Sequence, residues 1–125
     1  MTSHQNQSAK ISSIDLTAIA RLKKMGGNVL VVKMINLFLE NIPQKINIME
    51  QAVRDSDYKS LEMAAHSLKS SAGNLGARKL QQTANEIEVL AQEKSKPSLD
   101  QLIELIIAES SKVLKLLINK KSEYI

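Results

Sequence analysis

Apolar residues recur along most of this chain every three or four positions, the spacing that gives a helix one buried stripe. Leu16, Ile19 and Leu22 open the series, which stops at Gly26-Gly27 and so predicts a short helix ended by glycine. Asn28 is placed to cap a second helix with Val31, Ile35, Phe38 and Ile42 on its buried face. Pro43 lacks an amide hydrogen and disfavours helical geometry at Ile42. A kink or restart is therefore expected there, with the helix continuing through Ile46, Met49 and Val53 until "RDSD" closes it.

Asp57 or Ser56 can cap the next helix, whose stripe is Leu61, Ala65, Leu68, Ala72 and Leu75, and Gly76 suits a left-handed terminal position. Another helix follows at once with Leu80, Ala84, Ile87 and Ala91, Leu90 lying beside them, and runs until the polar "QEKSKPS". Pro97 and Ser98 mark the start of the last helix, expected from about Leu99 to Lys121 with Leu102, Ile103, Ile106, Val113, Leu114 and Leu117. That helix is too apolar to stand alone in water. No alternating β-branched strand competes with the helical pattern. The expected fold is all-α: an antiparallel four-helix bundle over residues 14–121, with a short additional N-terminal helix covering one end. Residues 1–13 read as a flexible N-terminal tail and residues 122–125 as a C-terminal end.

A length of 125 residues suits one domain with one core, and the absence of cysteine leaves no disulfide, thiolate metal site or cysteine nucleophile. Seventeen Lys and Arg against thirteen Asp and Glu give a net charge of +4, a modest bias toward an acidic partner. The basic residues come at most in pairs and the aromatics are Phe38, Tyr58 and Tyr124, too few to stack nucleic-acid bases. The N-terminus lacks the apolar centre of a signal peptide, and no apolar run reaches the roughly 18 residues a membrane span needs. A cytoplasmic protein with no membrane or nucleic-acid contact is expected. No glycine-rich nucleotide loop and no pair of catalytic carboxylates is present, so an enzyme with its own turnover is not expected.

The chemistry that remains lies in "AAHSLKSSAGNLGA", residues 64–77, where His66 stands among small side chains. Glu62, His66, Lys69 and Gly73 are spaced four, three and four apart, which makes them one stripe about 100° round from the buried one. His66 is thus expected at the edge of the core and facing outward. His66 and Glu88 are each eleven residues from Ala77, where the chain reverses, so at equal rise they should lie at the same height on neighbouring helices. A carboxylate that takes the proton of one ring nitrogen fixes the tautomer and leaves the other nitrogen as a nucleophile. Lys69 could offset the charge of an arriving phosphoryl group, with a contribution of roughly 1.5–3 kcal/mol. Ser70 and Gly73 leave the approach open. Each of these residues also fits a plainer role: a structural histidine, a solvated lysine, a surface carboxylate, close packing of small side chains. His4 lies in the expected tail and is assigned nothing.

The same stretch, through His66, Leu68, Lys69, Ser70, Ser71, Ala72, Leu75, Gly76 and Ala77, resembles the central motif of histidine-containing phosphotransfer (HPt) domains of multistep two-component phosphorelays. The resemblance covers about residues 14 to 118. It implies a bundle whose His66 takes a phosphoryl group from the receiver domain of a hybrid sensor kinase and passes it to the aspartate of a response regulator. By the same resemblance Lys69 stabilises the phosphoryl charge and Glu88, at a position where the family has Glu or Gln, orients the ring. Ser70 departs from the glycine common there and bears on which receivers can dock. The docking surface implied lies around Glu62, Met63, Ser70, Gly73 and Arg78, with Met34, Leu37 and Lys79 as further contacts. No metal or cofactor is expected on this chain, magnesium coming with the receiver, and a monomer is expected. Two other functions stay open at this point: an adaptor that binds receivers without carrying phosphate, and a fragment of a larger hybrid or chemotaxis-type kinase. Met1 followed by a polar tail, and a finished last helix, favour a free-standing protein.

Overall fold

The structure is a computed structural model that describes residues 14–125, so the N-terminal tail and His4 lie outside the described residues. Among the described residues four helices follow one another, α1 (Leu16–Arg54), α2 (Tyr58–Asn74), α3 (Arg78–Glu93) and α4 (Lys96–Lys121), and a short 3-10 turn, Ser122–Tyr124, ends the chain. Each long helix packs on the next, and α1 also packs on α4. This is the cyclic neighbour pattern of an up-and-down four-helix bundle. The expected stripes fill its centre: Val31, Ile35, Phe38, Ile42 and Met49 from α1 meet Leu61, Leu68 and Ala72 from α2, Leu80 and Ile87 from α3, and Leu99, Ile106 and Leu117 from α4. Each Leu or Ile so buried contributes about 1.5–3 kcal/mol.

Local sequence sets the helix boundaries, with some departures from expectation. The expected short first helix and its successor are both present within α1 and abut without a loop, meeting in a kink at Gly27, whose φ of 72° and ψ of −168° suit glycine alone. The cap position therefore falls on Gly27, one residue before Asn28. Ile19 is buried as expected, but Leu16 is exposed, because Ile14 and Ala18 face the core at this end. At Pro43 the helix continues, with no non-helical residue beside it. Phe38, Ile42, Ile46 and Met49 are all buried against the bundle, and their packing holds the helix through one missing amide. The last helix starts at Lys96, earlier than the expected Leu99, with Ser95 as its cap and Pro97 in the first turn, where proline is well tolerated.

Two devices fix the hairpin that carries the candidate histidine. Asp57 caps α2 by accepting from the Ser60 amide at 3.1 Å. At the other end Gly76 takes a φ of 75° and turns the chain into α3. Asp15 then ties the start of α1 to this turn. Its amide donates to the Gly76 carbonyl at 2.6 Å, its Oδ1 accepts from Thr17, and its Oδ2 accepts from Arg78 Nε at 2.9 Å and Nη2 at 2.7 Å.

The Thr17 hydroxyl, the Arg78 guanidinium and the Thr17 amide together lower the Asp15 pKa from 3.8 to about 2. A carboxyl whose pKa is depressed on folding contributes stability above its unfolded value and loses it as pH falls through the folded one. Thermal melting between pH 4 and pH 2 is thus expected to fall more steeply for the native chain than for Asp15→Asn. Parallel curves would remove the clasp from the fold's stability.

Candidate functional site

The outer face of the α2–α3 hairpin carries a ladder of polar pairs. Gln92 Nε2 donates to Glu62 Oε2 at 2.6 Å. One turn on, His66 Nδ1 lies 2.7 Å from Glu88 Oε2, and Lys69 Nζ donates to Glu88 Oε1 at 2.6 Å and to Asn85 Oδ1 at 3.4 Å. Gly73 faces Gln81, whose amide nitrogen lies 2.7 Å from where a Cβ on Gly73 would stand. The pairs 62/92, 66/88, 69/85 and 73/81 are each equally far from Ala77, as an antiparallel hairpin of two regular helices requires, and the Lys69–Glu88 contact runs diagonally between two of these rungs.

The geometry places the expected residues as follows. The His66 side chain is 62% exposed, while Glu88 is 14% and Lys69 27% exposed, so the ring stands over a carboxylate held between the helices. Glu88 is kept below the ordinary carboxylate range chiefly by the Lys69 hydrogen bond and also by His66, against the opposing effect of burial. An ionised carboxylate can only accept, so the contact requires a proton on Nδ1, and in the neutral ring that tautomer leaves Nε2 with its lone pair.

Lys69 is on the expected strip, yet its ammonium rests on Glu88 and Asn85 on the hairpin's own polar seam. Ser70, one turn beyond His66, is exposed and small. Met63 is exposed, and Glu62 is held by Gln92 with Lys59 at 3.8 Å. Arg78 lies at the turn, beyond the end of α2 and so more than about 12 Å from His66 along the axis at helical rise, with its guanidinium engaged by Asp15. Gln92 and Asn85 escaped the reading of the sequence, although the mirror spacing about Ala77 that pairs His66 with Glu88 also pairs Glu62 with Gln92 and Lys69 with Asn85.

Two shallow grooves flank α2 on its other side, against α1. One, of about 350 Å³, is lined by Lys45, Ile48, Ser60, Met63, Ala64 and Ser67. The other, of about 120 Å³, is lined by Met34, Leu37, Phe38, Asn41, Ser71, Asn74 and Leu75. Leu37, Ile48 and Met63 are exposed on this face, so an apolar strip runs beside the histidine. Among the described residues no cluster of three or more His, Asp or Glu side chains could hold a metal ion, and no helix is long and apolar enough to cross a membrane.

An exposed imidazole with one nitrogen fixed by a carboxylate suits reversible transfer of a group to the other nitrogen. Comparison with known proteins points the same way. Two solved structures share the fold. Histidine-containing phosphotransfer protein B from Pseudomonas aeruginosa PAO1 superposes with a TM-score of 0.86 at 22% identity, over 90% of this chain and 97% of that one. The HPT domain of a sensor hybrid histidine kinase from Shewanella gives 0.77 at 18% identity, with the same coverage. No curated protein matches the chain. The model of the Hpt domain family matches residues 33–120, most of the chain and all of the hairpin described above. This chain therefore belongs to the Hpt domain family and is a phosphotransfer intermediate of two-component signalling.

Proposed function

We propose that His66 is the residue that carries the phosphoryl group, on Nε2, between the aspartate of a hybrid kinase's receiver domain and that of a response regulator. The observation that carries this reading is the 2.7 Å contact of Nδ1 with Glu88 on a ring otherwise open to solvent. In the forward step the Nε2 lone pair attacks the phosphorus of the aspartyl phosphate. The N–P bond forms, the P–O bond breaks, and the receiver's carboxylate leaves with the electron pair. The ring, now substituted on both nitrogens, becomes positively charged, and Glu88 stabilises that charge through the Nδ1 hydrogen bond. The same atoms in reverse deliver the group to the second receiver.

The receiver docks over the α1–α2 face, where Leu37, Ile48 and Met63 offer apolar contact and Ser67, Ser70 and Ser71 present no bulk around the ring. Magnesium arrives in the receiver's acidic site, and this chain supplies position and charge. The chain works as a monomeric cytoplasmic carrier with no turnover of its own.

Two measurements test the reading. In 15N-labelled protein the phosphorylated ring is expected to show phosphorus coupling at Nε2, and coupling at Nδ1 would overturn the assignment. Lys69→Ala is expected to slow transfer from a phosphorylated receiver several-fold with unchanged helical circular dichroism. Equal rates would remove Lys69 from the reaction.

A further inference from the structure

Lys69 bears the one ammonium among the described residues that contacts the carboxylate under the histidine, and without a phosphoryl group it is already occupied. Its Nζ lies 2.6 Å from Glu88 Oε1 and 3.4 Å from Asn85 Oδ1, while the other oxygen of the same carboxylate holds the ring. A phosphoryl group on Nε2 would present a second anion one carboxylate away from this ammonium. A lysine stem has four rotatable bonds and can serve either acceptor, but the ammonium has three N–H donors, and those given to Glu88 and Asn85 are not free for the phosphoryl group.

We infer that Glu88 competes with the phosphoryl group for Lys69, so that the carboxylate which orients the ring also shortens the life of the phosphohistidine by drawing the stabilising ammonium back. This rests on His66 as the phosphoryl acceptor. Asn85 belongs to the same device as a positioning residue, because its carbonyl oxygen gives the ammonium a second hold on the α3 side. It lines a polar groove of about 400 Å³ together with Lys69, Gln81, Gln82 and Glu86, which leaves the lysine room to swing. A chain built this way favours passing the group on over storing it. A glutamine at position 88 would keep an oxygen for the Nδ1 proton and drop the charge that detains Lys69.

A double-mutant cycle separates this from the plainer idea that Lys69 only steadies Glu88. The protein is loaded with phosphoramidate, whose phosphorus is attacked by Nε2 as the P–N bond breaks and ammonia leaves with a proton. The donor is then removed and the phosphohistidine lifetime followed by phosphorus NMR. Lys69→Met is expected to shorten the lifetime a few-fold in the native background. In the Glu88→Gln background, where the ammonium is fully available to the phosphoryl group, the same substitution is expected to shorten it by about tenfold or more, as for a charge-assisted hydrogen bond to phosphate.

An effect in Glu88→Gln that is absent, smaller or equal to that in the native background overturns the competition. A Glu88→Gln protein that accepts no phosphoryl group overturns it as well, because release of Lys69 should favour the adduct. Failure of the native protein to load at His66, judged against His66→Gln, is the different result that would bring down the acceptor assignment itself.

Discussion

His66→Gln is expected to abolish phosphoryl acceptance while leaving the thermal midpoint within a degree or two of the native value. The glutamine amide nitrogen is not a nucleophile at neutral pH, so no N–P bond can form. The fold has little reason to respond, because the ring is 62% exposed and belongs to no buried cluster. Its hydrogen bond to Glu88 can be replaced in part by the new side-chain amide, and Lys69 keeps that carboxylate paired. A large loss of stability would mean that the histidine is structural, and residual label on the variant would mean that the acceptor lies elsewhere.

Gly76→Ala is expected to do the opposite, damaging the fold and sparing the chemistry. The residue has a φ of 75°, and a Cβ there would stand 2.5 Å from the Asp15 backbone oxygen and 3.0 Å from the Ala18 and Asp15 Cβ atoms. Backbone cannot give way as a long side chain does. Left-handed geometry and overpacking together predict a loss of about 2–5 kcal/mol, read as a fall in the thermal midpoint. Relief of the clash would pull α1 off the turn and break the Asp15 contacts to Gly76 and Arg78. The hairpin around His66 is far from this point, so each molecule that remains folded should accept phosphoryl groups normally. A variant as stable as the native chain would show that the clasp is not where the structure puts it.

The parts of this molecule that repeat at helical spacing were readable from its sequence, and the parts that depend on long side chains or distant segments were not. His66 and Glu88 could be matched by counting from Ala77 because two helices of equal rise leaving one turn must stay in register. That rule extends to Asn85 and Gln92, which were within reach of the same count. Lys69 could be placed on its strip, but a flexible stem with acceptors on two sides leaves the position of its ammonium undecided by spacing.

Arg78 shows a different limit. Its partner Asp15 is 63 positions away, and only the close approach of α1 to the Gly76 turn brings them together, so nothing in the sequence signals that this exposed residue also ties α1 to the turn. Pro43 shows local propensity yielding to packing, since buried residues on both sides of it keep the helix going.

Relay through His66 is tested most directly by following radiolabelled phosphate from one phosphorylated receiver domain, onto this chain and then to a second receiver added afterwards, with His66→Gln run beside it. Label that appears on the native chain as acid-labile phosphate, leaves it when the second receiver is added, and never appears on the variant is the expected result. No acid-labile label on the native chain across a panel of receivers from the same organism would contradict the assignment.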